Sequence, residues 1–337
     1  MKIKHCAEID GLYALGILLV LMGHSHSSDW TKFQNTPLVS LIKFIYTFHM
    51  AMFIFIAGFL FQNSDSLKNI GYHKWLQDKA LRLLTPYVFW SLIALVPKYY
   101  AEHHGFAGLN LSYLIKVVFH PRLGIWGHFW FLPVLFFLYL VFGSLHAIIK
   151  NHQWKWLIAC ELLLTGILYF LPVRNTFLGL ADITKNAVFF AIGMAVNQLF
   201  TIYDRPLGDK GISPLRILIC LAGGIVAFLL RENAHAHRAV GLPVAIMMIS
   251  VCWILVIQIP YGRIIQYLSG HNFTIYIFSW LFQSVVMMFC DKLRFAWPLT
   301  FVVMFSAGLL GPMTVIFVYE RLPFLHRRPV HLILGVR

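Results

Sequence analysis

A membrane-length apolar run near the N-terminus, Asp10 to His26, constrains this sequence more than any other feature. It reads DGLYALGILLVLMGHSH, so an apolar helix delivers a histidine, His24, to one of its ends. Fourteen residues separate Asp10 from His24, about 21 Å along a helix, so Asp10 does not orient His24 on that helix. Tyr13 and His24 are roughly three turns apart, which predicts that both point from one face into a cavity formed by neighbouring helices.

Composition places the chain among polytopic membrane proteins. Hydrophobic residues make up 59% of it, charged residues 12%, and the mean hydropathy is +0.74, values that argue against a soluble fold. The formal charge of +14 comes from Lys and Arg scattered at the edges of apolar runs, which fits positive loops flanking helices and not nucleic-acid binding. The cysteines are widely separated and odd in number, so neither a disulfide framework nor a metal site is expected: Cys6, Cys160, Cys220, Cys252 and Cys290.

The hydropathy pattern predicts an all-α bundle of about ten transmembrane helices in one domain, residues 1–337. The basic start MKIKHC resembles the start of a signal peptide, but no small-residue cleavage site follows, so we expect a retained first helix. The apolar segments are Leu12 to Ser27, Leu38 to Phe61, Leu83 to Tyr100, Phe129 to Lys150, Trp154 to Pro172, Thr184 to Ile202, Pro214 to Leu230, Val240 to Pro260, Phe273 to Cys290 and Trp297 to Tyr319.

The distribution of Lys and Arg predicts that both termini are cytoplasmic, in a multi-pass protein of the inner (plasma) membrane. This orientation places sixteen of the 27 basic residues inside: Lys2, Lys4, Lys68, Lys74, Lys79, Arg82, Lys150, Lys155, Arg205, Lys210, Arg216, Arg263, Arg321, Arg327, Arg328 and Arg337. His24 then lies near the outer end of the first helix, and Asp10 and Tyr13 lie near its inner end.

The longest connection runs from about Ala101 to His128 and is expected outside. It is rich in histidine and aromatic residues. Its length fits either a partly ordered lid over the outer mouth or an ordinary loop, and the sequence leaves both open.

Ionisable groups at membrane depth are costly, so each is a functional candidate. Histidine is the most useful for catalysis, since its pKa near 6.5 lets it take and return a proton near neutral pH. A hydrogen-bonded packing role for His24 stays open, and a metal pair with His26 is disfavoured because residues two apart on a helix face different ways. The polar groups in the apolar runs are His24, His26, Lys43, His49, Glu161, Lys185 and Asn197.

Five blocks along the chain resemble, in order, the signatures of the membrane acyltransferase-3 superfamily, multi-spanning enzymes of the sugar O-acetyltransferase type. The blocks are EIDGLYALGILLVLMGHSH, FHMAMFIFIAGFLF (48–61), KALRLLTPYVFW (79–90), HFWFLPVLF (128–136) and SGHNFTIYIFSWLFQ (269–283). Met50, Phe53 and Gly58 occupy characteristic places in the second block. The resemblance covers most of the chain and implies that the histidine of helix 1 is essential.

The resemblance implies acetyl-CoA as acyl donor and a sugar or lipid-linked glycan as acceptor, in contact with membrane lipid and without a metal. It makes His24 the catalytic residue and Lys79, Arg82 and Tyr13 donor-binding residues. Possible supporting residues are Asp10, His49, Glu161 and Trp130.

Two departures from the family pattern concern the donor. Tyr13 stands where members commonly carry Arg or Lys, so either a nearby cation such as Lys4 substitutes or the donor is held differently. Lys79 replaces the first Arg of a basic pair, and lysine lacks the bidentate fork of arginine. We expect Lys79 and Arg82 at the start of a helix, where phosphate meets both charge and free backbone N–H groups; ordinary positive-inside anchoring is the alternative.

Three functions fit these observations. The leading one is an integral-membrane O-acyltransferase for a cell-envelope polysaccharide or its lipid-linked precursor, with His24 as general base or as acyl carrier. The second is a transporter or flippase for such a precursor, which would more naturally show pseudo-repeats and paired broken helices. The third, suggested by Tyr13, is a non-catalytic partner in an export complex.

Overall fold

The computed structural model of the protein describes residues 7–29, 33–62, 69–105, 109–123, 126–149, 154–202, 212–323 and 326–336. Regular structure within these ranges is helical. The α-helices are α1 (Ala7–Gly23), α2 (Leu38–Tyr46), α3 (His49–Gln62), α4 (Tyr72–His103), α5 (Leu111–Phe119), α6 (Phe131–Ile148), α7 (Trp154–Phe170), α8 (Leu180–Ile202), α9 (Pro214–Ala236), α10 (Arg238–Gln258), α11 (Arg263–Gly270), α12 (Asn272–Lys292), α13 (Trp297–Arg321) and α14 (Arg328–Leu334). Short 3-10 turns cover Gly127–Trp130 and Phe177–Gly179.

The helices confirm the predicted multi-pass membrane bundle. Each of the ten predicted apolar segments contains a helix among its described residues, and the first segment continues four residues beyond the end of α1 at Gly23. Within the described ranges, eight stretches are long and apolar enough to cross a membrane, while α1, with 17 residues, and the apolar part of α7 are shorter. The predicted segment Leu38 to Phe61 forms one span made of α2 and α3, with a break at Thr47 and Phe48. The cytoplasmic placement of the termini stays a prediction.

Several residues used in the orientation argument lie outside the described residues: Lys2, Lys4, Lys68, Lys150, Arg205, Lys210 and Arg337. Cys6 also lies outside the described residues. The side chains of Lys155 and Arg328 are not described either.

The described residues form two compact units. The first contains α1, α2, the beginning of α3 and helices α9 to α13. Within it α1 packs against α2, α10, α11, α12 and α13. The helix that carries His24 towards its end is therefore the centre of this unit.

The sequence of α1 explains its central place. The helix is apolar on all sides, and Leu12, Ile17 and Leu21 are fully buried, as expected of a helix surrounded by others. Glycine allows a close approach at Gly16, where a Cβ atom would lie 2.8 Å from the ring of Phe53. Small residues at such contacts are typical of helix packing in membranes.

The second unit contains the rest of α3, helices α4 to α8, and α14. Its α4 packs against α5, α6 and α14, and the Trp90 indole N–H donates to the carbonyl oxygen of Ile333, 2.9 Å away. Gly58 of the second family block lies against the backbone of Phe190, where any Cβ atom would overlap the carbonyl oxygen.

The connection between Ala101 and His128 is partly helical. It contains α5, whose first turn is capped by Asn110, since the Asn110 side chain accepts a hydrogen bond from the backbone N–H of Tyr113 at 3.0 Å. Helix α5 packs on α4, and residues 106–108 and 124–125 lie outside the described ranges. That this segment covers the outer mouth stays a prediction.

Candidate active site

His24 lies at the C-terminal end of α1, in the first turn beyond Gly23. Its backbone N–H donates to the carbonyl oxygen of Val20 at 3.2 Å, so it still continues the helical turn. The half-buried imidazole lies beside two aromatic rings. Its centroid is 5.1 Å from that of Trp280 on α12 and 6.3 Å from that of Tyr46 on α2.

Tyr46 fixes the end of α1 against α2. Its hydroxyl donates to the carbonyl oxygen of Gly23 at 2.8 Å. Glycine is required there because a Cβ atom would lie 2.7 Å from the tyrosine ring. The Tyr46 ring also stacks with that of His49, with centroids 5.1 Å apart and an interplanar angle of 26°.

His49 is buried, and its Nδ1 donates to the carbonyl oxygen of Ile45 at 2.9 Å. In the neutral ring the proton is then on Nδ1, and Nε2 is an acceptor. His49, expected as a supporting residue, is thus separated from His24 by the Tyr46 ring that both contact.

Gln283 on α12 holds the last turn of α1 from the opposite side. Its side-chain N–H₂ donates to the carbonyl oxygen of Leu21 at 2.9 Å and to the hydroxyl of Ser25 at 3.1 Å. The Ser25 hydroxyl in turn donates to Leu21 at 2.7 Å. Because both polar side chains are fully buried, these hydrogen bonds form without competition from water and fix the backbone on both sides of His24.

The carbonyl oxygens at this helix end are engaged by side chains. Gly23 accepts from Tyr46, and Leu21 accepts from Gln283 and Ser25, so the backbone that carries His24 is held from two sides. The aromatic rings and hydrogen bonds around His24 restrict how its ring can move, as general-base catalysis requires.

Asp10 and Tyr13 lie near the other end of α1. The Asp10 carboxylate accepts hydrogen bonds from the hydroxyls of Ser269, at 2.6 Å, and Tyr261, at 2.9 Å. Partial burial, and then the hydrogen bond to Asp10 and its negative charge, raise the pKa of Tyr261 to about 12, so this phenol stays a donor at physiological pH. Asp10 thus fastens α1 to α11, while the Tyr13 ring is tilted against that of Phe53 at 6.1 Å.

Lys79 and Arg82 belong to the second unit, and the expected helix start at these residues is wrong. Helix α4 begins at Tyr72, two turns before Lys79, so its free N–H groups are elsewhere. The sequence reading failed because hydropathy marks only the apolar part of a helix that begins with polar turns. The Lys79 ammonium lies over two aromatic rings, 4.5 Å from the centroid of Tyr139 and 5.6 Å from that of Trp75.

Trp130, the tryptophan of the fourth block, is buried in the second unit. The Arg122 guanidinium lies over its ring at 4.3 Å. The same guanidinium donates two hydrogen bonds to the carboxylate of Asp182, at 2.7 and 2.6 Å. This bidentate geometry makes the arginine a rigid link between the tryptophan and α8.

Glu161 is buried on α7 and pairs with a residue that sequence reasoning missed, His146 on α6, at 3.3 Å. The other polar groups in the apolar runs differ from one another. Lys43 forms an ion pair with Glu232 at 2.9 Å, Lys185 is exposed, and Asn197 is buried. The His26 ring stacks on Phe33, whereas the His24 ring lies beside Trp280 and Tyr46.

Trp280 and Gln283 are the residues near His24 that sequence reasoning missed. Both lie in the fifth block, SGHNFTIYIFSWLFQ, and three residues apart they share a helix face. That spacing predicts that Trp280 and Gln283 lie together. It does not show that their helix face packs against α1. No group of three or more His, Cys, Asp or Glu residues that could hold a metal ion occurs in the described part of the chain.

Comparison with known proteins gives one family and two relatives. A family model described as an acyltransferase domain matches residues 7–317, in agreement with the resemblance of the five blocks. Nodulation protein NolL of Sinorhizobium fredii (strain NBRC 101917 / NGR234) is 26% identical over 220 residues, which are 64% of this chain and 56% of that protein. Nodulation protein NolL of Mesorhizobium japonicum (strain LMG 29417 / CECT 9101 / MAFF 303099) is 31% identical over 84 residues, 24% of this chain and 22% of that protein.

The chain thus spans about half the length of the first relative and about a fifth of the second. No solved structure matches it.

Proposed function

Since the chain belongs to the acyltransferase-3 family, whose acyltransferase domain matches residues 7–317, we propose that it is an integral-membrane O-acyltransferase. It moves an acetyl group from cytoplasmic acetyl-CoA to a sugar hydroxyl of a cell-envelope polysaccharide or its lipid-linked precursor. The protein resides in the inner (plasma) membrane, with both termini cytoplasmic. Membrane lipid surrounds it, and the glycan is its second substrate.

The observation that carries this proposal is the environment of His24. The imidazole lies at the end of α1, which packs against five other helices of its unit. It lies against Trp280 and Tyr46, and the backbone beside it is held by Gln283. The hydrogen bonds of Gln283 and Ser25 fix the backbone that carries His24, and a fixed position is what a general base needs.

Two reaction courses fit a histidine in this place. In the first, His24 takes the proton of the acceptor hydroxyl while that oxygen attacks the thioester carbonyl carbon, and the C–S bond then breaks. The imidazolium returns the proton to the leaving thiolate. In the second, a neutral imidazole nitrogen attacks the thioester carbonyl carbon, and the C–S bond breaks to release the CoA thiolate. The acceptor hydroxyl oxygen then attacks the acetyl carbon, the N–C bond breaks, and the hydroxyl proton passes to the thiolate. Both courses consume one acetyl-CoA and one hydroxyl and release free CoA.

Lys79 and Arg82 are the proposed contacts for the anionic donor. Helix spacing puts both on one face of α4, and the aromatic rings below Lys79 hold its ammonium group in place. Arg82 supplies a fork suited to phosphate, whereas Lys79 supplies a point charge. Tyr13 is a further proposed donor contact, as a hydrogen-bond donor at the position where the family pattern commonly has Arg or Lys.

Purified protein in liposomes, given acetyl-CoA with a labelled acetyl group and envelope glycolipids, tests the proposal. We expect label in the glycolipid fraction as an alkali-labile ester, together with free CoA in equal amount. Movement of unmodified glycolipid across the bilayer without ester formation would contradict the proposal and favour a transporter. Heat-treated protein is the control for uncatalysed transfer.

A further inference from the structure

A cavity of about 290 Å³ lies within the first unit, beside the loop that follows His24. We propose that it binds one sugar ring of the acceptor, adjacent to the ring whose hydroxyl receives the acyl group. This inference rests on the proposed function and gives the acceptor a second point of attachment. The residues that define the cavity include His26, Ser27, Phe33, Asp291, Arg294 and Trp297.

The carboxylate of Asp291 supplies hydrogen-bond acceptors at this cavity and also fixes the loop. Its Oδ1 accepts from the Ser27 hydroxyl at 2.6 Å, and its Oδ2 accepts from the hydroxyl and the backbone N–H of Ser28 at 2.6 and 3.2 Å. Each carboxylate oxygen has two lone pairs. Oδ1 can therefore hold Ser27 and accept a sugar hydroxyl at the same time.

Arg294 supplies hydrogen-bond donors at this cavity. Its backbone has a left-handed conformation that favours glycine. Its φ is 54°, just past the C-terminal end of α12, where helices usually place glycine because it has no Cβ atom. The exposed Arg294 guanidinium has five N–H donors in a fixed plane, a good match for two neighbouring hydroxyl oxygens of a sugar ring.

Aromatic surface completes the match to a sugar. Trp297 is 44% exposed, so its ring is partly open to a ligand, and the His26 ring is stacked on Phe33 with centroids 4.5 Å apart. A pyranose ring has an apolar face of C–H groups that packs on such rings, and hydroxyls that both donate and accept. The lining carries one carboxylate, Asp291, and one guanidinium, Arg294, whose charges offset each other, so it favours a neutral sugar.

The size of the cavity limits what fits. Small-molecule sites usually measure about 300–1,000 Å³, so this cavity, at the lower end of the range, suits about one sugar ring. A longer glycan would place one ring here and extend its neighbour along the loop towards His24, which precedes Ser27 by three residues.

Saturation-transfer NMR on the purified full-length protein, without acyl donor, tests the proposal. The probes are the methyl glycosides of glucose, galactose, mannose, fucose and N-acetylglucosamine, with inorganic phosphate as a competitor. We expect at least one glycoside to bind the wild type, and Arg294→Gly to weaken its binding about 10- to 100-fold, the range for losing a hydrogen bond to a charged group. The thermal unfolding temperature should stay the same or rise, since glycine suits the backbone.

Two further variants sharpen the result. Trp297→Leu should also weaken glycoside binding, whereas Trp156→Leu, at a 79% exposed position on α7 in the other unit, should leave it unchanged. Absence of glycoside binding, equal binding by wild type and Arg294→Gly, or displacement of the glycoside by phosphate would overturn the proposal.

The two proposals fail in different ways. Because binding is measured without a donor, a protein that binds glycosides in this manner but transfers no acetyl group would contradict only the proposed function. A protein that transfers acetyl groups and binds glycosides equally well after Arg294→Gly would contradict only the cavity proposal.

Discussion

Replacing Gln283 with leucine should slow acyl transfer about 10- to 100-fold without changing the affinity for acetyl-CoA. The side chain is fully buried and donates two hydrogen bonds, one to the carbonyl oxygen of Leu21 in the last turn of α1, at 2.9 Å, and one to the hydroxyl of Ser25 just beyond that helix, at 3.1 Å. Hydrogen bonds of this kind contribute about 0.5–1.5 kcal/mol each, so the helix end loses about 1–3 kcal/mol of local support. A displacement of about 1 Å at a catalytic group can cost about 100-fold in rate.

The assay for this prediction separates positioning from folding. Active-site-normalised kcat should fall while the KM for acetyl-CoA stays constant, and the pH profile of kcat/KM should shift, because the His24 ring then lies differently relative to the Trp280 and Tyr46 rings that enclose it. Reduced folding alone would lower the yield but not move the pH profile. Thr274→Val is the matched control on the same helix: Thr274 is fully buried, and its hydroxyl has no hydrogen-bond partner among the described residues.

A second perturbation reaches Gln283 without altering it. At Gly308 a Cβ atom would lie 2.7 to 2.9 Å from three atoms of the Gln283 side chain, so Gly308→Ala should displace that side chain and slow transfer in the same way. The double variant should then be no slower than Gln283→Leu, because neighbouring changes that act through one contact are not additive. Wild-type kcat and pH profile in Gln283→Leu would refute the positioning role.

Three further predictions follow from the rest of the chain. Arg82→Ala should weaken acetyl-CoA binding by about 1–3 kcal/mol, more than Lys79→Ala does, since arginine can hold phosphate with two hydrogen bonds. Calorimetry on the detergent-solubilised protein measures both affinities. Equal affinity of the wild type and both variants would mean that these residues serve only as positive-inside anchors. Glu161→Ala should reduce folded protein in the membrane and lower the unfolding temperature, because it leaves a buried histidine without its partner; loss of activity in fully folded protein would instead make Glu161 catalytic. Cysteines placed at Lys74 and Arg327 should label only after the membrane is opened, and labelling of either in intact cells would contradict the cytoplasmic orientation.

The membrane spans could be predicted from the sequence because hydropathy is a local property. Apolar runs such as Trp297 to Tyr319 became helices close to the expected bounds, since a backbone in lipid must satisfy its own hydrogen bonds. Polar residues at a helix end escape this local signal. The polar first turns of α4 lie outside its apolar run, so the expected helix start at Lys79 was wrong.

The position of His24 at a helix end was also predictable, but its neighbours were not. Trp280 is 256 residues away in the chain, and no periodicity in either segment shows that the two rings meet. The same holds for the buried pair of His146 and Glu161, which requires that α6 and α7 face each other. Family resemblance marked the block that contains Trp280 without telling which of its residues approaches the histidine.

The most direct test of this account compares transfer of labelled acetyl groups by wild-type, His24→Ala and His26→Ala protein. The account predicts a loss of about 10²- to 10⁴-fold for His24→Ala, the usual contribution of a positioned acid–base group, with acetyl-CoA binding and protein yield retained. At saturating acceptor His26→Ala should lose much less, because its ring stacks on Phe33 and not on the rings around His24. A His24→Ala protein that accumulates normally and still transfers acetyl groups near the wild-type rate would contradict the central claim.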